Sequence, residues 1–115
     1  MSENFNKVTD LSYLREISKG NAAFIDEMID IFLTENPKEI IDLENAINQK
    51  DFGSIKEAAH KMKSTIPFVG IDKLIEKDLV QIENLSLERS GLEQIRTAFA
   101  AIKKTCLQAA EELKN

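Results

Sequence analysis

His60 is the one histidine of this 115-residue chain, and it stands in the run Glu57-Ala58-Ala59-His60-Lys61-Met62-Lys63-Ser64. An imidazole with a free ring nitrogen is a competent nucleophile toward phosphorus or carbonyl carbon near neutral pH. The apolar residues around it, Ile55, Ala59, Met62, Ile66 and Val69, step by four, three, four and three, the stripe of a helix packed in a bundle. One helical position turns His60 about 100° off that stripe, toward solvent. Its neighbours at i−4, i+3 and i+4 are Lys56, Lys63 and Ser64. The flanking ammonium groups disfavour a further positive charge on the ring, leave a nitrogen free, and would offset the charge of an attached phosphoryl group. The plainer reading is an inert surface histidine among ordinary surface charges. A bare helix face has no pocket, so a partner would have to supply the rest of an active site.

Other chemistries find less support. Glu57-x-x-His60 has the spacing of carboxylate-bridged di-iron bundles, but those need two such motifs and further inward acids, and the chain has one histidine. No metal site is expected. Cys106 lies on an apolar seam, where a buried and inert thiol is the default. No glycine-rich phosphate loop is present, so ATP-dependent kinase activity is not expected. Asn84-Leu85-Ser86 matches a glycosylation acceptor, but nothing else suggests secretion.

The elements that must position His60 are all helical in period. Residues 1–9 are polar and expected to fray. A short helix over residues 11–19 puts Leu11, Leu14 and Ile17 on one face; Gly20 stops it and Asn21 can cap the next. The second helix, residues 22–35, buries Phe24, Met28, Ile31 and Phe32. Asn36-Pro37-Lys38-Glu39 then reads as N-cap, first-turn proline and capping glutamate, opening a separate helix with Ile40, Leu43 and Ile47, and with Ile41 as a further candidate. Asp51 can cap the His60 helix, placed at residues 54–69. Pro67 inside it removes the bond to the Lys63 carbonyl, which predicts a kink or early end between Lys63 and Phe68. Asp72 can cap a helix bearing Ile75, Leu79 and Ile82. Residues 84–90 read as a loop, and Ser90-Gly91-Leu92-Glu93 as a second capping box. Leu92, Ile95, Phe99, Ile102, Cys106, Ala109 and Leu113 form the clearest seam. Short connections favour antiparallel neighbours. The expected fold is therefore all-α: an antiparallel up-down four-helix bundle with a short extra N-terminal helix, in a single domain over residues 1–115.

Composition narrows the partners. The chain is 43% apolar and 30% charged, with a formal net charge of −5. That balance fits a soluble globular domain and argues against a nucleic-acid or polybasic membrane surface. No apolar run approaches the ~20 residues of a membrane span, and the polar start lacks the hydrophobic region of a signal peptide. One cysteine cannot form an internal disulfide, which suits a cytoplasmic location. A monomer is expected, and the leading Met1 leans toward a free-standing protein rather than a domain cut from a longer one.

The run Ala59-His60-Lys61-Met62-Lys63-Ser64, followed by Val69-Gly70 and Leu74, resembles the core motif of histidine-containing phosphotransfer (HPt) domains. That motif is Ala-His-x-hydrophobic-Lys-Gly, with a further glycine and a leucine beyond it. The order of the remaining segments, from Leu11-Ser12-Tyr13-Leu14 through Phe24 and Met28 to the Pro37 helix, is also similar. The resemblance implies a four-helix bundle with an exposed phosphorylatable histidine in mid-helix. It implies a phosphocarrier, not an enzyme, that relays phosphoryl groups in two-component phosphorelays between His60 and aspartates of receiver domains, in response regulators and hybrid sensor kinases. His60 would be the phosphoacceptor and Lys63 the cation beside the phosphoryl group. Ser64 would be the small residue that lets the receiver approach; it stands where the family usually has glycine, and its hydroxyl is a candidate donor to a phosphoryl oxygen. Lys56, Lys61 and Phe68, with Tyr13, are candidate docking residues. The chain needs no cofactor of its own; Mg²⁺ is expected on the partner receiver. The competing expectation is a non-catalytic helical adaptor that has kept the bundle but not the relay.

Overall fold

A computed structural model describes residues 7–114, and the described residues are helical and contain no strand. The helices are α1 (Ser12–Ser18), α2 (Ala22–Asn48), α3 (Phe52–Met62), α4 (Asp72–Leu87) and α5 (Leu92–Leu113), with a 3₁₀ segment, Ile66–Val69, between α3 and α4. Helices α2 to α5 pack each on the next, and α5 returns to α2, which closes an up-down bundle. The seams meet as the periodicity requires. Ile40, Leu43, Ile47, Ile55, Ala59, Met62, Ile75, Leu79, Ile82, Ile95, Phe99, Ile102, Cys106 and Ala109 are all buried in one core, together with Phe32. Among the described residues, no helix is long and apolar enough to cross a membrane.

The largest departure from the sequence reading is at Pro37. The two helices expected on either side of it are one, α2, with Pro37 inside. Phe32, Asn36, Ile40, Leu43 and Ile47 step by four, four, three and four, and all are buried. That stripe runs unbroken through the proline. Proline's φ suits a helix, and the loss is the single bond to the Leu33 carbonyl together with a local clash. Ending α2 there would have cost the continuous packing. Asn36 is consequently not a cap but a buried polar side chain, placed beside the Cys106 thiol and the Glu39 carboxyl.

Length explains a second difference. Helix α2 has 27 residues and α3 has 11, so they span about 40 Å and 16 Å at 1.5 Å per residue. Helix α3 cannot cover the first half of α2. Phe24 and Ile31, expected inside, are exposed, and Met28 is half-buried. In α1 only Leu14 is buried, while Ile17 faces solvent.

The capping predictions divide. Asn21 accepts from the Phe24 amide at 3.1 Å and Asp51 from the Ser54 amide at 3.2 Å, as expected. Asp72 is the first residue of α4 and not its cap. Residues 84–87, expected as loop, continue α4, and Ser86 is buried there. The Ser90 capping box does not form: Gly91, in the left-handed region at φ 72°, is the N-cap of α5.

The N-terminal segment is also tied down where fraying was expected. The amides of Val8 and Thr9 donate to the Glu112 carboxylate at 2.9 and 3.0 Å, and the Thr9 hydroxyl donates to it at 2.6 Å. Residues 1–6, covered by the same expectation, lie outside the described residues. Asp10 N donates to the Val69 carbonyl at 2.9 Å. At Gly70 the chain takes φ +80°, and a Cβ there would lie 2.3 Å from the Asp10 carbonyl oxygen. Gly70→Ala is therefore expected to lower unfolding stability by at least about 2 kcal/mol, from left-handed strain added to a backbone collision. Urea denaturation reads this directly; an unchanged midpoint would show that the segment simply moves aside.

Candidate functional site

Helix α3 stops just beyond His60. Pro67 cannot donate to the Lys63 carbonyl, and the backbone tightens before it: Lys63, Ser64 and Thr65 donate three residues back, to His60, Lys61 and Met62. The early end foreseen from Pro67 is found, and the helix expected to reach residue 69 ends at Met62. His60 therefore occupies the last turn of α3, not its middle.

His60 is exposed, with 71% of its side-chain surface accessible, and its ring is not free. Nδ1 lies 2.8 Å from Oε2 of Glu83, on the neighbouring helix α4. The other oxygen of the same carboxylate, Oε1, is 2.8 Å from Nζ of Lys63. One carboxylate thus bridges the imidazole and the ammonium. Glu83 is only 13% accessible, so its own position is well determined by packing. Burial pushes the Glu83 carboxyl up, but the hydrogen bonds from Lys63 and then His60, with their charges, outweigh it and hold the group below the usual range. An ionised carboxylate can only accept, so Nδ1 must donate. In the neutral ring Nε2 is then unprotonated, and its lone pair faces solvent. The arrangement presents a nucleophilic nitrogen of fixed tautomer, with a cation one helical turn away.

Lys63 is half-buried and sits at the C-cap of α3, where its side chain reaches α4. Ser64 is exposed, and its hydroxyl donates to the Lys61 carbonyl at 2.9 Å. Its proton is engaged at the end of the helix, contrary to the expectation of a donor ready for a phosphoryl oxygen; its smallness is what remains. Lys56 is exposed one turn before His60. Lys61 is exposed on the other side of α3, where it lines a shallow cleft toward α2 with Asp42, Glu57 and Ala58. Phe68 is half-buried and meets Tyr13, with ring centroids 6.3 Å apart and planes tilted by 38°. Among the described residues no group of three His, Cys, Asp or Glu side chains is arranged to hold a metal ion. Cys106 is buried and its thiol is pushed up to about 11 by burial, which leaves it inert.

Reasoning from the sequence missed Glu83. A signal for it existed. Glu83 is one step off Ile82 in the α4 seam, as His60 is one step off Ala59 in the α3 seam. On two packed antiparallel helices such positions flank the same groove.

The family model described as Hpt domain matches residues 27–114. The chain belongs to the Hpt domain family. Hpt domains have a phosphotransfer role in two-component signalling, as phosphocarrier modules rather than kinases, and they interact with response-regulator receiver domains and kinases. The helical bundle with its short N-terminal helix is the Hpt fold. No curated protein and no solved structure matches the chain. The Hpt match begins at Glu27, within α2, so the tied N-terminal segment and α1 lie outside it.

Proposed function

We propose that this Hpt domain relays a phosphoryl group between Nε2 of His60 and the aspartate of a receiver domain. The observation that carries this reading is the Glu83 bridge, which holds Nδ1 of an exposed ring as donor, so that Nε2 of the neutral ring is unprotonated, and ties Lys63 to the same carboxylate. In the forward step the Nε2 lone pair attacks the phosphorus of a receiver acyl phosphate. The N–P bond forms, the P–O bond to the aspartate breaks, and the carboxylate leaves. No proton has to move, because Nδ1 keeps its own. Transfer of this kind rests on alignment and charge neutralisation.

Lys63 supports the charge. In the free protein it is paired with Glu83, and its flexible stem allows the ammonium to turn toward a phosphoryl oxygen once one arrives. Both oxygens of Glu83 are engaged, so a divalent cation would have to come with the receiver. Lys56 and Lys63 favour encounter with an acidic receiver cleft, and transfer should slow as salt rises. Apolar contact falls to Phe68, in the 3₁₀ segment that follows Ser64, and to Tyr13, whose ring meets it.

The test is incubation with a phosphorylated receiver. Wild type should take up label at the receiver's expense. Lys63→Ala should still fold, because Lys63 lies outside the buried core, yet accept phosphate about tenfold more slowly through loss of one charge-assisted contact. Ser64→Leu should block approach while leaving the His60–Glu83 pair intact. Equal rates in all three proteins would remove Lys63 and Ser64 from the site; no transfer to wild type from any receiver would remove the function.

A further inference from the structure

At the C-terminal end of α5, one carboxylate makes a set of contacts that the phosphotransfer reading leaves unused. Glu112 takes the Val8 amide on Oε2 and both the Thr9 amide and the Thr9 hydroxyl on Oε1. Gln108, one turn earlier, donates to Oε2 at 3.1 Å. Both oxygens are thereby occupied, and the chain from residue 8 to residue 11 is drawn across the end of the bundle as a strap. Beyond the latch the strap is held again. Asp10 donates through its amide to Val69 and pairs through its carboxylate with Lys73 at 3.3 Å, over the close approach at Gly70. Val8 and Leu11 pack against the core, and Leu14 is fully buried.

Helix α1 continues directly from the strap and carries Tyr13, in contact with Phe68. The path from Glu112 to the docking surface is therefore continuous: carboxylate, strap, α1, Tyr13, Phe68. The strap is held by backbone hydrogen bonds at Val8, Thr9 and Asp10, so its position is fixed and not merely its proximity. The seven residues of α1 are too few to form a helix without tertiary support. Buried Leu14 supplies part of that support, and the strap holds the N-terminal side. This part of the chain precedes the matched residues 27–114.

We propose that Glu112 is a positioning residue for receiver docking, which acts through the strap to hold Tyr13 against Phe68. The proposal rests on the phosphotransfer reading for its partner, but the latch itself can be tested without one. Its signature is a change in recognition with the chemistry untouched, since His60, Lys63 and Glu83 lie elsewhere.

The experiment compares wild type, Glu112→Ala, Thr9→Val and Thr9→Ser in the full chain. Three measurements are made: amide hydrogen exchange, the nuclear Overhauser contact between the Tyr13 and Phe68 rings, and the KM and kcat of transfer from a phosphorylated receiver. In Glu112→Ala, exchange at Val8, Thr9 and Asp10 should rise about 10- to 100-fold, the loss expected for hydrogen bonds to a charged group. The ring contact should weaken, and KM should rise several-fold with kcat held. Thr9→Val should do the same to a smaller degree. Thr9→Ser restores the hydroxyl and should restore all three readings. Circular dichroism should show an intact bundle throughout, which separates loss of the latch from loss of the fold. Unchanged exchange and ring contact in Glu112→Ala would overturn the latch. A fall in kcat without a rise in KM would overturn the docking role. If wild type accepts no phosphate, the phosphotransfer reading fails and takes the docking role with it, while exchange and ring contact still decide the latch.

Discussion

A His60→Gln variant is expected to take up no acid-labile phosphate from a phosphorylated receiver, while unfolding at the same denaturant concentration as wild type. The glutamine amide can still donate to the Glu83 carboxylate, so the bridge to Lys63 need not collapse. Exposed substitutions away from packed or strained sites change stability by only about 0.5 kcal/mol. What the amide lacks is a nucleophilic lone pair. A phosphoryl group on an imidazole nitrogen is lost in acid and survives base, the reverse of a serine phosphate. Label should therefore be incorporated in wild type, vanish in acid, and be absent from the variant. Acid-stable label, or label that persists after the substitution, would mean that another residue is the acceptor.

Removing the orienting carboxylate should have the next largest effect. Without Glu83 the ring loses the acceptor that fixes its tautomer, and a free imidazole prefers the proton on Nε2, the nitrogen that must attack. Glu83→Ala is expected to slow transfer about 10- to 100-fold, the usual cost of losing a partner that orients a reacting histidine. Glu83→Gln keeps an acceptor oxygen for Nδ1 but gives up the ion pair with Lys63, so it should lose less. Nitrogen chemical shifts of the ring report the tautomer independently of rate. The sign of the pH dependence comes from the depressed Glu83 carboxyl. Its contribution is complete above the ordinary glutamate value and is lost only as pH falls through the lowered one, so orientation is intact at neutrality. A Glu83→Ala protein that transfers as fast as wild type, with an unchanged ring spectrum, would leave Glu83 without this role.

The fold was legible where apolar period and core coincided. The α3, α4 and α5 seams are buried as their spacing requires, and the motif around His60 pointed to the family before any contact was known. At Pro37 a local signal was overruled by packing. Asn36-Pro37-Lys38-Glu39 has every mark of a helix start, but the stripe from Phe32 to Ile47 is worth more than a cap. Ser90 lost its capping role to a left-handed Gly91, and α4 ran on through Ser86. At the site, His60 and Lys63 were readable because they are one turn apart. Glu83 was not, because its partnership with His60 spans 23 residues and depends on how α3 and α4 are rotated against each other. The Glu112 strap spans more than 100 residues and carries no local pattern at all.

The early end of α3 bears on thermodynamics as well as on shape. Because the helix stops at Met62, His60 lies in its last turn, where the peptide dipoles sum to a partial negative charge although tightened bonds from Lys63, Ser64 and Thr65 satisfy the last carbonyls. A phosphoryl group there would meet that charge and the nearby Glu83 carboxylate together, offset by the ammonium of Lys63, which is itself paired with Glu83. The dipole alone would disfavour the phosphorylated form by about 0.3–1 kcal/mol. The site would thus be a poor place to store phosphate and a good one to leave. Such an imbalance would raise the group-transfer potential of a phosphohistidine formed there, the property wanted in an intermediate that must pass its cargo onward.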